Sequence, residues 1–331
     1  MSEPVDSRFV VVRKKIGGIA LRKSLSGLST VVRRLPISQP ARHDVELISD
    51  VPYLGTGMVE HTYDVWRPKH ATGPLPLVVY IHGGAFRALS KDTHWIMGLQ
   101  LARRGLCVVV PNYRLAPAHR YPAGSADAAA AIGHAHAHAK RFGADPDTMV
   151  LMGESAGANI ALGLAVGIAW DVKARHLDPL RDLPIKAVVP ACGVFQVGDS
   201  ARFRRADPRF HWFFNDRVEE LSAWLPRHGG DIVEDPIASP LPFLEAADAP
   251  KRAVPPMFLP VGGGDFLKAD HERLHRAFDR LGVDNKVVVY GREPHAFHAF
   301  VWREEAKRFW NDTAKFLDDH GVKTSPLSSS R

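Results

Sequence analysis

The 331-residue sequence predicts an α/β fold, a mostly parallel sheet with helices on both faces. Three observations lead there. Short apolar runs without alternation recur along the chain, as expected of strands covered on both faces. Helical stretches separate them. Two glycine-bearing turns, His82-Gly83-Gly84 and Gly153-Glu154-Ser155-Ala156-Gly157, each follow directly on such a run.

The elements follow in order. Residues 1–43 carry nine Lys or Arg and two acids, whereas the other 288 residues hold 34 of each. The whole net charge of +7 therefore sits on an N-terminal arm, and the body is neutral. In the arm, Leu21, Leu25, Leu28, Val32 and Leu35 form one apolar helical stripe, flanked by Arg22, Lys23, Arg33 and Arg34. Packing of that stripe on the body is preferred over adsorption to anionic lipid. From about residue 57 the strand–helix rhythm begins. His61 to Trp66 alternates weakly and reads as an outer strand; Leu77–Ile81 and Leu106–Val110 are buried strands around a helix at Trp95 to Arg104. A long Ala-rich helix spans Ala123 to Phe142, Thr148–Met152 is the next strand, and a helix runs on to about Ile168. Ile185–Pro190, Pro256–Val261 and Lys286–Tyr290 continue the series, and a last helix ends near Leu317. Between Val194 and Pro236 no clean strand is visible. That stretch carries Phe195, Phe203, Phe210, Trp212, Phe213, Phe214 and Trp224, too aromatic for a solvated linker, and reads as a lid formed together with the arm.

Several classes are disfavoured by composition. Cys107 and Cys192 lie 85 residues apart with no C-x-x-C pairing, which argues against a disulfide scaffold and a Cys-rich zinc module. The longest nearly unbroken apolar run, Ile160 to Trp170, is eleven residues, against the ~20 that cross a bilayer. The start lacks the order of a secretory signal, so a cytoplasmic location is expected. A neutral body without a recognisable nucleic-acid-binding motif argues against a nucleic-acid partner. His134, His136 and His138 lie on a helix with no carboxylate at ligand spacing and read as a solvated face, and Gly262-Gly263-Gly264 lacks the Lys-Ser/Thr of a phosphate loop. No cofactor and no metal are expected.

The chemistry-bearing motif is Gly153-Glu154-Ser155-Ala156-Gly157, a G-x-S-x-G between a strand and a helix. A serine on that sharp turn stands exposed, and the helix start behind it favours a developing oxyanion. The glycines of His82-Gly83-Gly84-Ala85-Phe86 leave backbone N–H groups open, so that Gly83, Gly84 and Ala156 can serve as oxyanion donors. A serine hydroxyl needs a base, and the base an orienting acid, in the chain order Ser, acid, His. Asp265 follows the strand Pro256–Val261, and His295 follows Lys286–Tyr290. Asp270 is the alternative acid, disfavoured inside a predicted helix, and His298 the alternative base.

The ordered set His82-Gly-Gly-Ala-Phe86, Asn112-Tyr-Arg-Leu-Ala-Pro117, Tyr121-Pro-Ala123, Gly153-Glu-Ser-Ala-Gly-Ala-Asn159, Asp265 and His295-Ala-Phe297 resembles the hormone-sensitive-lipase family of α/β-hydrolases, over roughly residues 45–320. The resemblance implies an eight-stranded sheet and carboxylesterase activity on mostly short acyl chains. It also implies a helical cap from the arm and from the segment after strand 6. The organisation expected is an arm at 1–45, a core at 46–193, a cap insertion at 194–236, core again at 237–320, and a disordered tail at 321–331. It makes Tyr113 and Arg114 structural supports of the oxyanion loop and favours His295 over His298. Where that family commonly has a third glycine, this chain has Ala85; the added methyl predicts poor activity on esters of tertiary alcohols.

The expectation is thus a cofactor-independent serine esterase for short- to medium-chain esters, with Ser155, His295 and Asp265 as triad. An amidase or lactonase using the same triad is the alternative enzyme, and a non-catalytic small-molecule receptor the alternative class. The expected partner is a small ester; weak membrane-surface contact through the arm and a homodimer are left open.

Overall fold

The computed structural model describes residues 29–206, 212–221, 224, 225, 227, 228, 231, 232 and 235–325, together with Gly17 and Gly27. Eight strands form one sheet in the order β1-β2-β4-β3-β5-β6-β9-β10. They are β1 (Val45–Pro52), β2 (Thr62–Pro68), β3 (Leu75–Ile81), β4 (Cys107–Pro111), β5 (Ala144–Glu154), β6 (Ile185–Ala191), β9 (Met257–Gly262) and β10 (Asn285–Tyr290). β1 pairs antiparallel with β2, and β2 antiparallel with β4; the other pairings in this sheet are parallel. A separate hairpin joins β7 (Arg227–His228) to β8 (Asp231–Ile232).

The helices are α1 (described over 29–34), α2 (Trp95–Ala102), α3 (Ala123–Ala137), α4 (Ala156–Ala169), α5 (Arg202–Ala206), α6 (Trp212–Leu221), α7 (Pro240–Ala246), α8 (Lys268–Arg280) and α9 (Glu304–Asp319). Alternation along the strands divides the core between the sheet's two faces. Leu77, Val79 and Ile81 of β3 join Ile132 of α3 and Ile160 and Leu164 of α4. Val78 and Tyr80 of the same strand join Leu99 of α2 and Phe309 and Trp310 of α9. Because both faces are covered, β3 and β4 need no polar alternation, and their sequences have none.

The expected eight-stranded α/β architecture is present, with four differences in detail. The strand around residues 62–66 is not the outer one: β1 lies outside it and was not foreseen, its Val-Glu-Leu-Ile-Ser-Asp-Val-Pro being half exposed and interrupted by a register shift after Ile48. The Ala-rich helix stops at Ala137, and a 3₁₀ turn, Ala139–Phe142, completes the stretch. The segment between Val194 and Pro236 does contain the short β7–β8 hairpin. Within residues 321–325, assigned to the disordered tail, Val322 is fully buried and the Ser325 N–H donates to the Arg104 carbonyl at 2.8 Å.

Leu21, Leu25, Leu28 and the side chains of Phe210, Trp212, Phe213 and Phe214 lie outside the described residues. Of the arm's apolar stripe, Val32 and Leu35 are described, and Leu35 is 46% exposed. Val32 joins the α2–α9 core, Arg33 pairs with Asp92 at 2.7 Å, and the Ser29 hydroxyl donates to the Thr93 carbonyl at 3.3 Å. Among the described residues no helix is long and apolar enough to cross a membrane.

Candidate active site

The sheet delivers the singled-out residues to one edge. β3 and β5 are neighbours with Ile81 opposite Gly153, so the turns after them, His82–Gly84 and Glu154–Ser155, lie side by side. This is where strand order reverses, the place at which open α/β sheets bind ligands.

Ser155 sits at the sharpest turn. Its φ of 54° with ψ of −115° is backbone that a side-chain-bearing residue adopts at a cost of roughly 1–3 kcal/mol. Its N–H donates to Ala191 at 3.0 Å, and α4 begins at the next residue. Gly157 makes the turn possible: a Cβ there would lie 2.0 Å from the Ile81 carbonyl oxygen. The Ala156 N–H opens α4 and so has no partner within the helix. Ser155 remains partly exposed among buried neighbours.

Asp265 and His295 meet. Asp265 Oδ2 accepts from His295 Nδ1 at 2.8 Å, and Oδ1 accepts from the Leu267 N–H at 2.9 Å, which engages both carboxylate oxygens. The Asp265 side chain is fully buried, whereas that of His295 is 29% exposed. With Nδ1 engaged, Nε2 is the imidazole nitrogen left for chemistry. Burial alone would raise the Asp265 pKa, but the charge and hydrogen bond of His295 hold it below the ordinary carboxylate value. Burial would lower that of His295, and Asp265 raises it above the ordinary imidazole value.

The Gly262-Gly263-Gly264 run brings this pair together. A Cβ on Gly263 would stand 1.8 Å from the Gly291 carbonyl oxygen, so only glycine lets the Asp265 and His295 loops approach so closely.

The alternatives are engaged elsewhere. Asp270 is buried in an ion pair with Arg202 of α5 at 2.5 Å, and His298 is fully buried with Nε2 2.8 Å from Glu154 Oε2. Of the three helix histidines, His134 stands 2.9 Å from the Tyr63 hydroxyl and stacks on His138, so that face is not merely solvated.

Behind the glycine turn, the Tyr113 hydroxyl donates to the His82 carbonyl at 2.8 Å and its ring stacks on the His82 imidazole. Arg114 grips Asp127 through Nε and Nη2 at 2.8 and 2.7 Å. Tyr113 therefore braces the turn, whereas Arg114 ties its own loop to α3. Ala85 and Phe86 have φ of 56° and 60°, and the Phe86 ring stacks at 3.8 Å on Trp224. Trp224 also accepts the Tyr121 N–H through its carbonyl at 2.9 Å. Phe266 packs between the His295 ring and Phe203 of α5.

Sequence reasoning missed three neighbours of this site, Glu154, His94 and Cys192. Glu154 holds His94 and His298, one on each oxygen, at 2.8 Å. The Gly83 N–H, an expected oxyanion donor, is directed at His94 Nε2 at 3.3 Å. Cys192 places its sulfur, the nearest Asp265 oxygen and a His295 nitrogen within 4.8 Å of one another, the one such trio of possible metal ligands among the described residues. Burial raises the Cys192 thiol pKa far above its ordinary value, so it is a protonated neighbour of the pair. No periodicity or spacing marks these contacts, which join residues far apart in the chain.

With this geometry in view, residues 78–299 match the family of the alpha/beta hydrolase fold, and the chain belongs to it. A probable carboxylic ester hydrolase, LipM of Mycobacterium tuberculosis, is 29% identical over 273 residues, 81% of this chain and 59% of that protein. This chain thus spans less than two thirds of LipM. The versiconal hemiacetal acetate esterase of Dothistroma septosporum is 27% identical over 299 residues, 87% of this chain and 84% of its own. Among solved structures, esterase LipW of Mycobacterium marinum superposes with a TM-score of 0.73 at 22% identity, covering 92% of this chain and 90% of LipW. Esterase B of Lactobacillus rhamnosis gives 0.75 at 19% identity, covering 95% and 97%. These two show the fold.

Proposed function

We propose that the chain is a carboxylic ester hydrolase that works through an acyl-enzyme on Ser155, with His295 as base and Asp265 as its orienting acid. The observation that carries this reading is the 2.8 Å bond from His295 Nδ1 to a fully buried Asp265, together with a strained serine at the head of α4. Its relatives' activities, hydrolysis of carboxylic and hemiacetal acetate esters, support the reaction class.

The serine hydroxyl gives its proton to His295 Nε2 as its oxygen attacks the ester carbonyl, and Asp265 stabilises the imidazolium that forms. The N–H groups of Gly83, Gly84 and Ala156 receive the oxyanion. His295 then protonates the departing alcohol, and water cleaves the acyl-enzyme by the same path in reverse. Short to medium acyl chains are the substrates this reading expects; near the pair, Phe266 packs on the His295 ring and Phe86 stacks on Trp224.

A fluorophosphonate probe tests the assignment. The probe is expected to add one adduct, on Ser155, and to abolish hydrolysis of p-nitrophenyl butyrate. Labelling at another residue, or no labelling of an active enzyme, would overturn it. A chain-length series of p-nitrophenyl esters, with the corresponding anilides and lactones, separates esterase from amidase or lactonase.

A further inference from the structure

Behind the glycine turn lies a buried polar cluster to which the mechanism above gives no role. Glu154, the residue just before Ser155, is buried at the end of β5. Its Oε1 lies 2.8 Å from His94 Nε2, and its Oε2 lies 2.8 Å from His298 Nε2 and 3.3 Å from the Tyr80 hydroxyl. Gly83 is pressed against this carboxylate, since a Cβ on it would stand 3.1 Å from Oε1.

One nitrogen here has two suitors. His94 Nε2 lies 2.8 Å from a carboxylate oxygen, which can only accept, and 3.3 Å from the Gly83 N–H, which can only donate. A ring nitrogen either carries a proton or offers a lone pair, so it satisfies one of the two. The shorter, charge-assisted bond to a buried carboxylate is the stronger. At the other end of the ring, Nδ1 lies 3.1 Å from the Ser90 carbonyl, again an acceptor, and 3.0 Å from the Thr93 hydroxyl. A proton can therefore sit at Nδ1 whenever Nε2 gives it up.

We infer that Glu154 and His94 are positioning residues of the oxyanion hole: the carboxylate keeps a proton on His94 Nε2, and that proton denies His94 the Gly83 N–H, leaving it free for the substrate oxyanion. When the carboxylate's charge is absent, the proton moves to Nδ1, the lone pair at Nε2 captures the Gly83 N–H, and the hole loses a donor. The inference deepens the proposed esterase reading and rests on it for its kinetic consequence. Glu154 is suited to the task because, against burial, His94 and His298 hold it ionised far below the ordinary carboxylate range. The other groups facing His94 are Tyr80 of β3 and His82 of the turn after it, with Tyr113 stacked behind His82, while Lys91 on its own loop is turned to Asp50 and Asp64. The arm reaches this loop through Ser29 on Thr93 and Arg33 on Asp92.

Two substitutions separate charge from shape. Glu154→Gln keeps the shape and loses the charge; Glu154→Asp keeps the charge and shortens the side chain. The full-length enzyme is assayed with p-nitrophenyl butyrate, and its histidine nitrogens are read by long-range ¹H–¹⁵N correlation, the His94 signal being assigned by its loss in His94→Gln. Expected are a proton on Nε2 in the unsubstituted enzyme and its absence in Glu154→Gln. In Glu154→Gln, kcat falls about 10²-fold, the loss typical of one oxyanion donor, with KM within about threefold. Glu154→Asp retains at least tenfold more kcat than Glu154→Gln. Packing alone predicts the reverse order, and that order, or an Nε2 still protonated in Glu154→Gln, overturns the inference. If the unsubstituted enzyme hydrolyses no ester, the esterase reading fails, while the nitrogen spectra still decide the proton's position.

Discussion

At the scale of single residues, the proposed mechanism depends on which atom of His295 holds a proton. Asp265 raises the His295 pKa above its ordinary 6.5, so the imidazole keeps its second proton to a higher pH. As a base it must be neutral, and kcat/KM is therefore expected to fall as pH drops through a value above 6.5. Asp265→Asn should move that inflection to lower pH and reduce kcat by about 10⁴-fold, because the amide favours the wrong tautomer. A pH–rate profile of the two proteins checks both expectations; an unmoved inflection would show that Asp265 is not the orienting acid. Ala85 offers a second residue-scale test. Its φ is 56°, and it follows Gly83 and Gly84, two of the proposed oxyanion donors. Ala85→Gly is expected to raise hydrolysis of tert-butyl acetate relative to p-nitrophenyl butyrate, and efficient tert-butyl acetate hydrolysis by the unsubstituted enzyme would contradict the steric argument.

Between elements, the decisive contacts are close approaches of loops that follow different strands. The Asp265 and His295 loops meet where Gly263 faces the Gly291 carbonyl, so Gly263→Ala should force them apart. The expected outcome is loss of ester hydrolysis with stability lowered by several kcal/mol, about what strain or an unmade buried hydrogen bond costs. Gly55, with nothing near its would-be Cβ, serves as the control, and Gly55→Ala should change neither. Urea titration with parallel assays reads both. How much of this was legible varies from element to element. Ser155, Asp265 and His295 could be found because each follows a strand whose apolar run announces it, and the fold order supplied their roles. β1 escaped because acidic residues break its apolar pattern and much of it is exposed. Glu154 and His94 escaped for another reason. Their meeting joins the start of α2 to the end of β5, and 60 residues of chain separate them.

For the whole molecule, buried imidazoles link folding to pH. Burial, and then His94 nearby, lowers the His82 pKa to about 3; burial lowers that of His271 to about 4. The unfolded chain binds protons at these positions near pH 6.5, and the folded chain does not. Stability should therefore fall as pH drops from 6.5 toward 4, by at most roughly 1.4 kcal/mol per pH unit for each group. Glu154 and Asp265 act in a lower window. Their folded pKa values are depressed, so they stabilise the fold above their unfolded values and lose that contribution on further acidification. His295, whose pKa is raised, contributes below pH 6.5 and loses its contribution as pH rises through the folded value. Urea midpoints at pH 7, 5.5 and 4.5 should decline in that order, and His271→Gln should flatten the decline; a flat profile would mean that these imidazoles are protonated in the folded state.

The most direct measurement is single-site removal of the nucleophile. Ser155→Ala keeps the turn and deletes only the hydroxyl. Turnover of p-nitrophenyl butyrate is predicted to fall by at least about 10⁴-fold, with the urea midpoint little changed. A folded Ser155→Ala protein that hydrolyses the ester at the unsubstituted rate would contradict the account.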